Sequence, residues 1–269
     1  MSADVIQVIA WGVGGCVVDE GRTGMGWLGV PRGGALDRGA LQLANRLVGN
    51  RDGSAGLETS GGMSLRMVRA AVVAVTGAVA VIDVDGGPPV GWGTPVALPA
   101  GAVVRIRRLV GGCRAYVGVR GGLAALSDDR LGVGSEPSDP VAVSAAVPAQ
   151  RPSSVRLWRG PRLDSVDAGA WERLVSTPFS VSATSRVGCR LAGAVLAHRD
   201  GAVLESEGMV EGAVQVPPDG SPIVMLADHP TTGGYPVVAV VDPADLWVVV
   251  QSSVGSVLRF SDGERRGRR

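Results

Sequence analysis

The sequence predicts a mainly β protein with a few short helices, and three observations carry that expectation. Gly at 41 and Pro at 17 of 269 residues are both high in a chain that is 45% hydrophobic, a composition suited to many strands joined by tight turns. The apolar runs are short and rich in Val, and stretches such as Val104-Arg105-Ile106-Arg107 alternate with the period of a strand that has one wet face. Helix-period stretches are few. A charged fraction of 19% belongs to a globular chain, long enough for one large core or two packed halves.

Taken in order, residues 5–11 and 16–19 read as an opening hairpin through the glycines at 12–15. Residues 21–37, GRTGMGWLGVPRGGALD, are too glycine-rich for regular structure. The best helix spans 37–48: Asp37 is a natural N-cap, Leu41, Ala44 and Val48 form an apolar stripe, and Gly49 ends it. Strands are expected at 64–68, 72–75, 79–84, 103–108, 114–119 and 141–145, with turns at 86–89 and 99–101. The Pro-, Ser- and Ala-rich stretch 137–152 marks a boundary, giving an N-terminal half over 1–150 and a C-terminal half over 151–269. In the second half a short helix after Asp164 ends near Val175. Strands are expected at 155–158, 179–182, 194–198, 203–205, 212–216, 222–227, 237–241, 246–251 and 257–260. Strands with two helices imply barrel-like or sandwich layers.

Composition narrows the chemistry. The 26 basic residues against 25 acidic ones are all arginine. A chain without lysine has no P-loop lysine, no Schiff base and no attachment point for biotin or lipoate. No basic stripe interleaved with aromatics occurs, so a nucleic-acid partner is not expected. The arginines at 265, 266, 268 and 269 read as a solvated tail. Cys16, Cys113 and Cys189 are scattered, against both a disulfide framework and a zinc site. The first residues lack a basic stretch ahead of the apolar ones, and the run 70–82 is too short and β-like to span a bilayer. The expectation is a soluble cytoplasmic protein without a membrane partner.

Reactive side chain types concentrate in 205–236, ESEGMVEGAVQVPPDGSPIVMLADHPTTGGYP. Its polar loop at the end of a strand is the usual place for a site. Asp228 and His229 are adjacent, so in an extended loop they point apart. With no G-x-S-x-G elbow, a serine hydrolase is disfavoured, and His198 and His229 have no metal-ligand spacing. Arg186 and Arg190 could grip carboxylate or phosphate, or pair with Glu205 or Glu207 on the surface. Glu58, among apolar residues and glycines, reads either as a buried acid or as a strand-edge charge.

The order of motifs carries a resemblance over residues 5–260. The strings GRTGMGWLGVPRGGALDRGALQLANRLVGN, GLETSGG, YVGVRGG, SRVGCRLAG and the 205–236 segment together resemble the biotin-dependent carboxyltransferase-like family, also called allophanate hydrolase subunit 2. It includes the C component of bacterial 5-oxoprolinase and part of the carboxyltransferase domain of urea carboxylase. Three places depart from the family pattern: the loop 130–139, the turn 251–255, and Ser185 where an Asp or Asn commonly precedes the arginine.

The resemblance implies two cyclophilin-like β-barrel halves and a subunit of an ATP-dependent 5-oxoprolinase complex opening 5-oxo-L-proline to L-glutamate. The implied partners are a subunit 1-like chain, similar to the B component of 5-oxoprolinase, and a LamB/YcsF-type subunit. Glu207, Asp228 and His229 are then the expected catalytic groups. Arg186, Arg190, Gln215, Thr231, Thr232, Tyr235 and Glu58 are the expected binding groups for a small amide. ATP is used by the complex, and no metal is expected. Two other readings stand beside this one: carboxyl transfer to a urea-type acceptor with biotin on another chain, and a non-enzymatic regulatory binding module.

Overall fold

The computed structural model describes residues 3–85, 90–144, 152–199 and 204–263. The expected turn at 86–89 and the arginine tail at 265–269 lie outside them. The chain divides into two compact units, one formed by 1–21 with 37–149 and the other by 22–36 with 150–269. The glycine-rich segment 22–36, which a single boundary near 150 assigns to the first half, belongs to the second unit. It is held there by Gly33 N–H donating to Ala227 O and by Leu36 in that unit's core.

The first unit contains β1 (Ala3–Ala10), β2 (Cys16–Val18), helix α1 (Arg38–Leu47), β3 (Gly56–Thr59), β4 (Met63–Met67), β5 (Ala71–Val84), β6 (Val96–Leu98), β7 (Val103–Val119), β8 (Leu123–Ala125) and β9 (Arg130–Val133). They form one sheet in the order β2-β3-β7-β4-β1-β9-β8, with β5 pairing β7 and β6 pairing β5. The long strand β7 organises it. One edge of β7 pairs β5 along its length, while the other takes β4 at 103–106 and β3 at 115–117. The opening hairpin is not formed, because β1 pairs β4 and β9 and β2 pairs β3. The glycines at 12–15 turn the chain away instead of back on itself.

Two pairs of expected strands, 72–75 with 79–84 and 103–108 with 114–119, are each one continuous strand. In β5 the break is a register shift after Gly77, whose φ of 80° only glycine adopts easily. Helix α1 forms where its apolar period and cap predict it, with Asp37 Oδ1 accepting from Ala40 N–H at 3.0 Å. It packs on β5 and β7, and Thr76 Oγ1 donates to Ala40 O. Asn50, just past the helix, donates to Val119 O and accepts from Gly121 N–H. The polar residues of the ANRLVGN string thereby tie the helix end to the sheet.

The second unit contains β10 (Val155–Arg159), helix α2 (Ala170–Ser176), β11 (Phe179–Thr184), β12 (Gly188–Ala192), β13 (Glu207–Gly208), β14 (Ala213–Gln215), β15 (Ile223–Met225), β16 (Thr232–Gly233), β17 (Val237–Val241), helix α3 (Leu246–Val250), β18 (Val257–Leu258) and β19 (Phe260–Asp262). Eight of these strands run in the order β18-β11-β12-β15-β14-β17-β10-β19. The two terminal strands of that order are separated in sequence by Arg259 alone, so the sheet must curl until its edges nearly meet. Each unit is thus a nearly closed, barrel-like sheet around its own apolar core, in keeping with the mainly β fold expected. The pair β13–β16 stands apart as a two-residue ribbon.

Three expected strands of this half are not strands. Residues 246–251 are helical: Asp242 Oδ1 accepts from Ala244 N–H and Asp242 O from Asp245 N–H, so the Asp-Pro-Ala-Asp turn starts a helix. Val248, Val249 and Val250 are all buried, which outweighs their β preference. Residues 194–198 form only one bridge, Val166 to His198. Residues 204–205 are irregular, with 203 outside the described residues. In the first unit 141–144 likewise form no strand, and 145 is not described.

Candidate functional site

The ribbon β13–β16 brings together much of what the 205–236 segment contains. Glu207 lies opposite Gly233, and Gly208 opposite Thr232. Met209 N–H extends the ribbon by donating to Thr231 O. Gln215, 3% exposed on the adjoining β14, donates from Nε2 to Tyr235 O at 3.0 Å and contacts Met209 Sδ at 3.1 Å. It anchors both ends of the ribbon from below. Tyr235 is 45% exposed and Thr232 is also exposed, so the outer face is a polar, partly aromatic wall.

Arg162 completes this cluster, and sequence reasoning missed it. Its Nε and Nη2 both donate to Glu207 Oε2, at 3.0 and 2.9 Å. This contact raises the arginine pKa, first by the hydrogen bond and then by the carboxylate charge. Glu207 therefore pairs with Arg162, not with Arg186 or Arg190. The only local signal was the Gly160-Pro161 turn that ends β10 just before Arg162. Nothing in residue order connects that turn to position 207.

Arg186 and Asp228 form a second cluster three residues before Thr231. Arg186 sits in the turn between β11 and β12, and its Nε donates to Asp228 Oδ2 at 2.7 Å while Nη2 reaches Oδ1 at 3.3 Å. Nη2 also donates to Gly34 O, and Asp228 N–H donates to Arg186 O. The fork expected to hold an anion from outside is engaged by a carboxylate of the same unit and by segment 22–36. Arg32 pairs with Glu211 at 3.7 Å and strengthens the same attachment.

His229, 6% exposed, directs Nδ1 to Pro230 O at 2.6 Å. A carbonyl only accepts, so Nδ1 carries a hydrogen and donates it. Asp228 and His229 thus turn to different partners, as adjacent residues in an extended loop must. Arg190 lies on β12 and pairs with exposed Asp219 at 3.0 Å, a surface ion pair. His198 Nε2 donates to Val216 O at 2.8 Å, a packing role.

Glu58 belongs to the first unit. It is wholly buried on β3, accepts from Tyr116 Oη–H at 2.8 Å, and has Arg114 Nη1 at 3.7 Å from Oε1. Tyr116 in turn accepts from Asp37 N–H at 2.8 Å. Of the two readings of Glu58, the buried acid is the one observed, in a network that holds the start of α1. Among the described residues no three His, Cys, Asp or Glu side chains cluster as metal ligands do. No helix among them is long and apolar enough to cross a membrane.

Comparison with known proteins gives this geometry a family. A model of the carboxyltransferase domain, subdomain A and B, matches residues 28–128 and 124–262. The chain is 30% identical over 282 residues to the C component of 5-oxoprolinase from Escherichia coli, covering 95% of this chain and 90% of that protein. It is also 30% identical to urea amidolyase of Saccharomyces cerevisiae, over 89% of this chain but only 16% of that protein. The crystal structure of TTHA0988 superposes with a TM-score of 0.86 at 34% identity, covering 96% of this chain and 56% of that one. The urea carboxylase of Kluyveromyces lactis shares the fold, with a TM-score of 0.88 at 23% identity over 28% of its chain. With the motif order, both barrel-like sheets and a family model spanning most of its length in agreement, this chain belongs to the carboxyltransferase domain family, subdomains A and B.

Proposed function

We propose that this chain is a subunit of an ATP-dependent 5-oxoprolinase complex that opens 5-oxo-L-proline to L-glutamate together with a subunit 1-like partner and a LamB/YcsF-type subunit. The observation that carries this reading is the nearly end-to-end match to the C component of 5-oxoprolinase. The urea amidolyases, by contrast, contain the matching region as a small part of a longer chain. The ribbon cluster supplies suitable chemistry: a carboxylate fixed by Arg162, a buried amide at Gln215, and the imidazole of His229 nearby in sequence. Acidic and imidazole groups of this kind bind a small amide and move its protons.

The two arginines that could grip a phosphate are both engaged within the chain. Arg186 is committed to Asp228 and Gly34, and Arg190 to Asp219. We therefore assign no phosphate contact to either and route no step of the reaction through ATP on this chain. Because the chain has no lysine, covalent biotin would have to sit elsewhere in any carboxyl-transfer version of the site. That second reading is favoured by the similarity to urea amidolyase.

The test is reconstitution with the two partner subunits, measuring glutamate and ADP. Glutamate formation that requires ATP and all three chains is the expected result. No turnover from a verified intact complex overturns it, and co-purification with biotinylated protein plus urea-dependent carboxyl transfer would establish the second reading.

A further inference from the structure

We infer that Glu207 Oε1 is the acceptor for the substrate's amide N–H, and that Arg162 is the positioning residue that dedicates this oxygen to the task. The inference rests on the proposed action on a cyclic amide and names the groups that recognise it. Arg162 places both Nε and Nη2 on Oε2 alone, when its fork could have spanned both oxygens. Oε1 is left shielded from solvent, and among the described residues no group donates to it. A buried carboxylate oxygen without a donor costs free energy, and a ligand N–H removes that cost.

The aim of the pair is set by the backbone. Arg162 N–H donates to Val237 O at 3.0 Å. At Gly160 a Cβ would lie 2.3 Å from Val237 O, so the turn that delivers the arginine is closely packed against β17. On the other side Glu207 rides on a ribbon held by two residue pairs.

An ionised carboxylate only accepts, so it separates substrates by whether they offer N–H. A lactam, urea and the cyclic ureido ring of biotin share an N–H beside a carbonyl, whereas the γ-lactone analogue of 5-oxoproline offers only ring oxygen. In Glu207→Gln the arginine, a donor only, holds the amide oxygen. The amide NH₂ then takes the place of Oε1, so a donor replaces the acceptor.

The experiment uses the reconstituted complex and compares the KM for 5-oxoproline with the inhibition constant of the γ-lactone. Wild type should favour the lactam by at least about tenfold, within the roughly 10⁴-fold that a hydrogen-bonding site can reach. E207Q should abolish or reverse that preference with the complex still assembled. Arg162→Lys should raise KM for the lactam more than it lowers kcat, since the charge stays while the fork is lost. An assembled, active E207Q complex that keeps the wild-type preference overturns the inference. If the wild-type complex does not turn over 5-oxoproline, the proposed reaction fails separately. Calorimetry of wild type and E207Q with 5-oxoproline, urea and biotin then decides the acceptor role. One such ligand bound by wild type and lost in E207Q supports it; none so distinguished overturns it.

Discussion

At the residue scale, Asp228 acts through Arg186 as a fastening for segment 22–36. Asp228→Ala leaves a partly buried guanidinium without its carboxylate. It should cost about 1–3 kcal/mol in urea unfolding and speed tryptic cleavage after Arg22 and Arg32. Unchanged unfolding and cleavage would contradict the fastening role. Tyr116 gives a second residue-scale prediction. Burial first, then the charges of Glu58 and Asp37, push its phenol well above the ordinary tyrosine value. A folded-state pKa above the unfolded one contributes stability that is full below about pH 10 and lost as pH rises beyond it. Stability should therefore fall on the alkaline side above about pH 10. Tyr116→Phe should flatten that fall while lowering stability at neutral pH by about 1–3 kcal/mol, because Glu58 loses a buried donor. Denaturant titrations at pH 7 to 11 check both.

At the element scale, α1 was legible in the sequence because its cap, stripe and stop are local, and the structure reproduces it within one residue at either end. Its seat on the sheet was not legible. A Cβ at Gly118 in β7 would lie 2.6 Å from Ala44 O, so the helix approaches the strand as closely as it does only because position 118 has no side chain. Gly118→Ala should cost about 1–3 kcal/mol through forced separation of helix and strand; a variant as stable as the parent would show that the helix has room to move. The helix α3 reversed its expected type. Three consecutive valines favour a strand when counted alone, but the preceding Asp-Pro-Ala-Asp turn starts a helix and burial around it keeps one. The wrong pairing of β1 and β2 has a related cause, since the partners of β1 are supplied by strands more than fifty residues away.

At the scale of the whole molecule, surface ion pairs set the acid behaviour. Asp52, Asp85 and Asp167 are held below the usual carboxylate range chiefly by hydrogen bonds from Arg46, Arg105 and Arg173, and Asp219 chiefly by Ser221 N–H. Depressed folded-state values contribute stability above the unfolded pKa near 4, lost as pH falls through the folded values. The melting temperature should hold from about pH 5 to 7 and drop below about pH 4. High salt should shrink that drop, because these pairs are largely exposed. A melting temperature insensitive to pH between 5 and 2 would refute it.

What the residues alone settled was what is local or categorical. The absence of lysine rules out a covalent biotin site on this chain, composition and short period-2 runs give a mainly β fold, and the motif order gives the family. What only the tertiary structure decided was which acid each arginine meets. Arg162 finds Glu207 across 45 positions and Arg186 finds Asp228 across 42. Arg190, with the same chemistry and only four residues from Arg186, goes to a surface aspartate instead. No periodicity encodes those choices, because they follow from strand order and from which turn the curled sheet brings beside which loop.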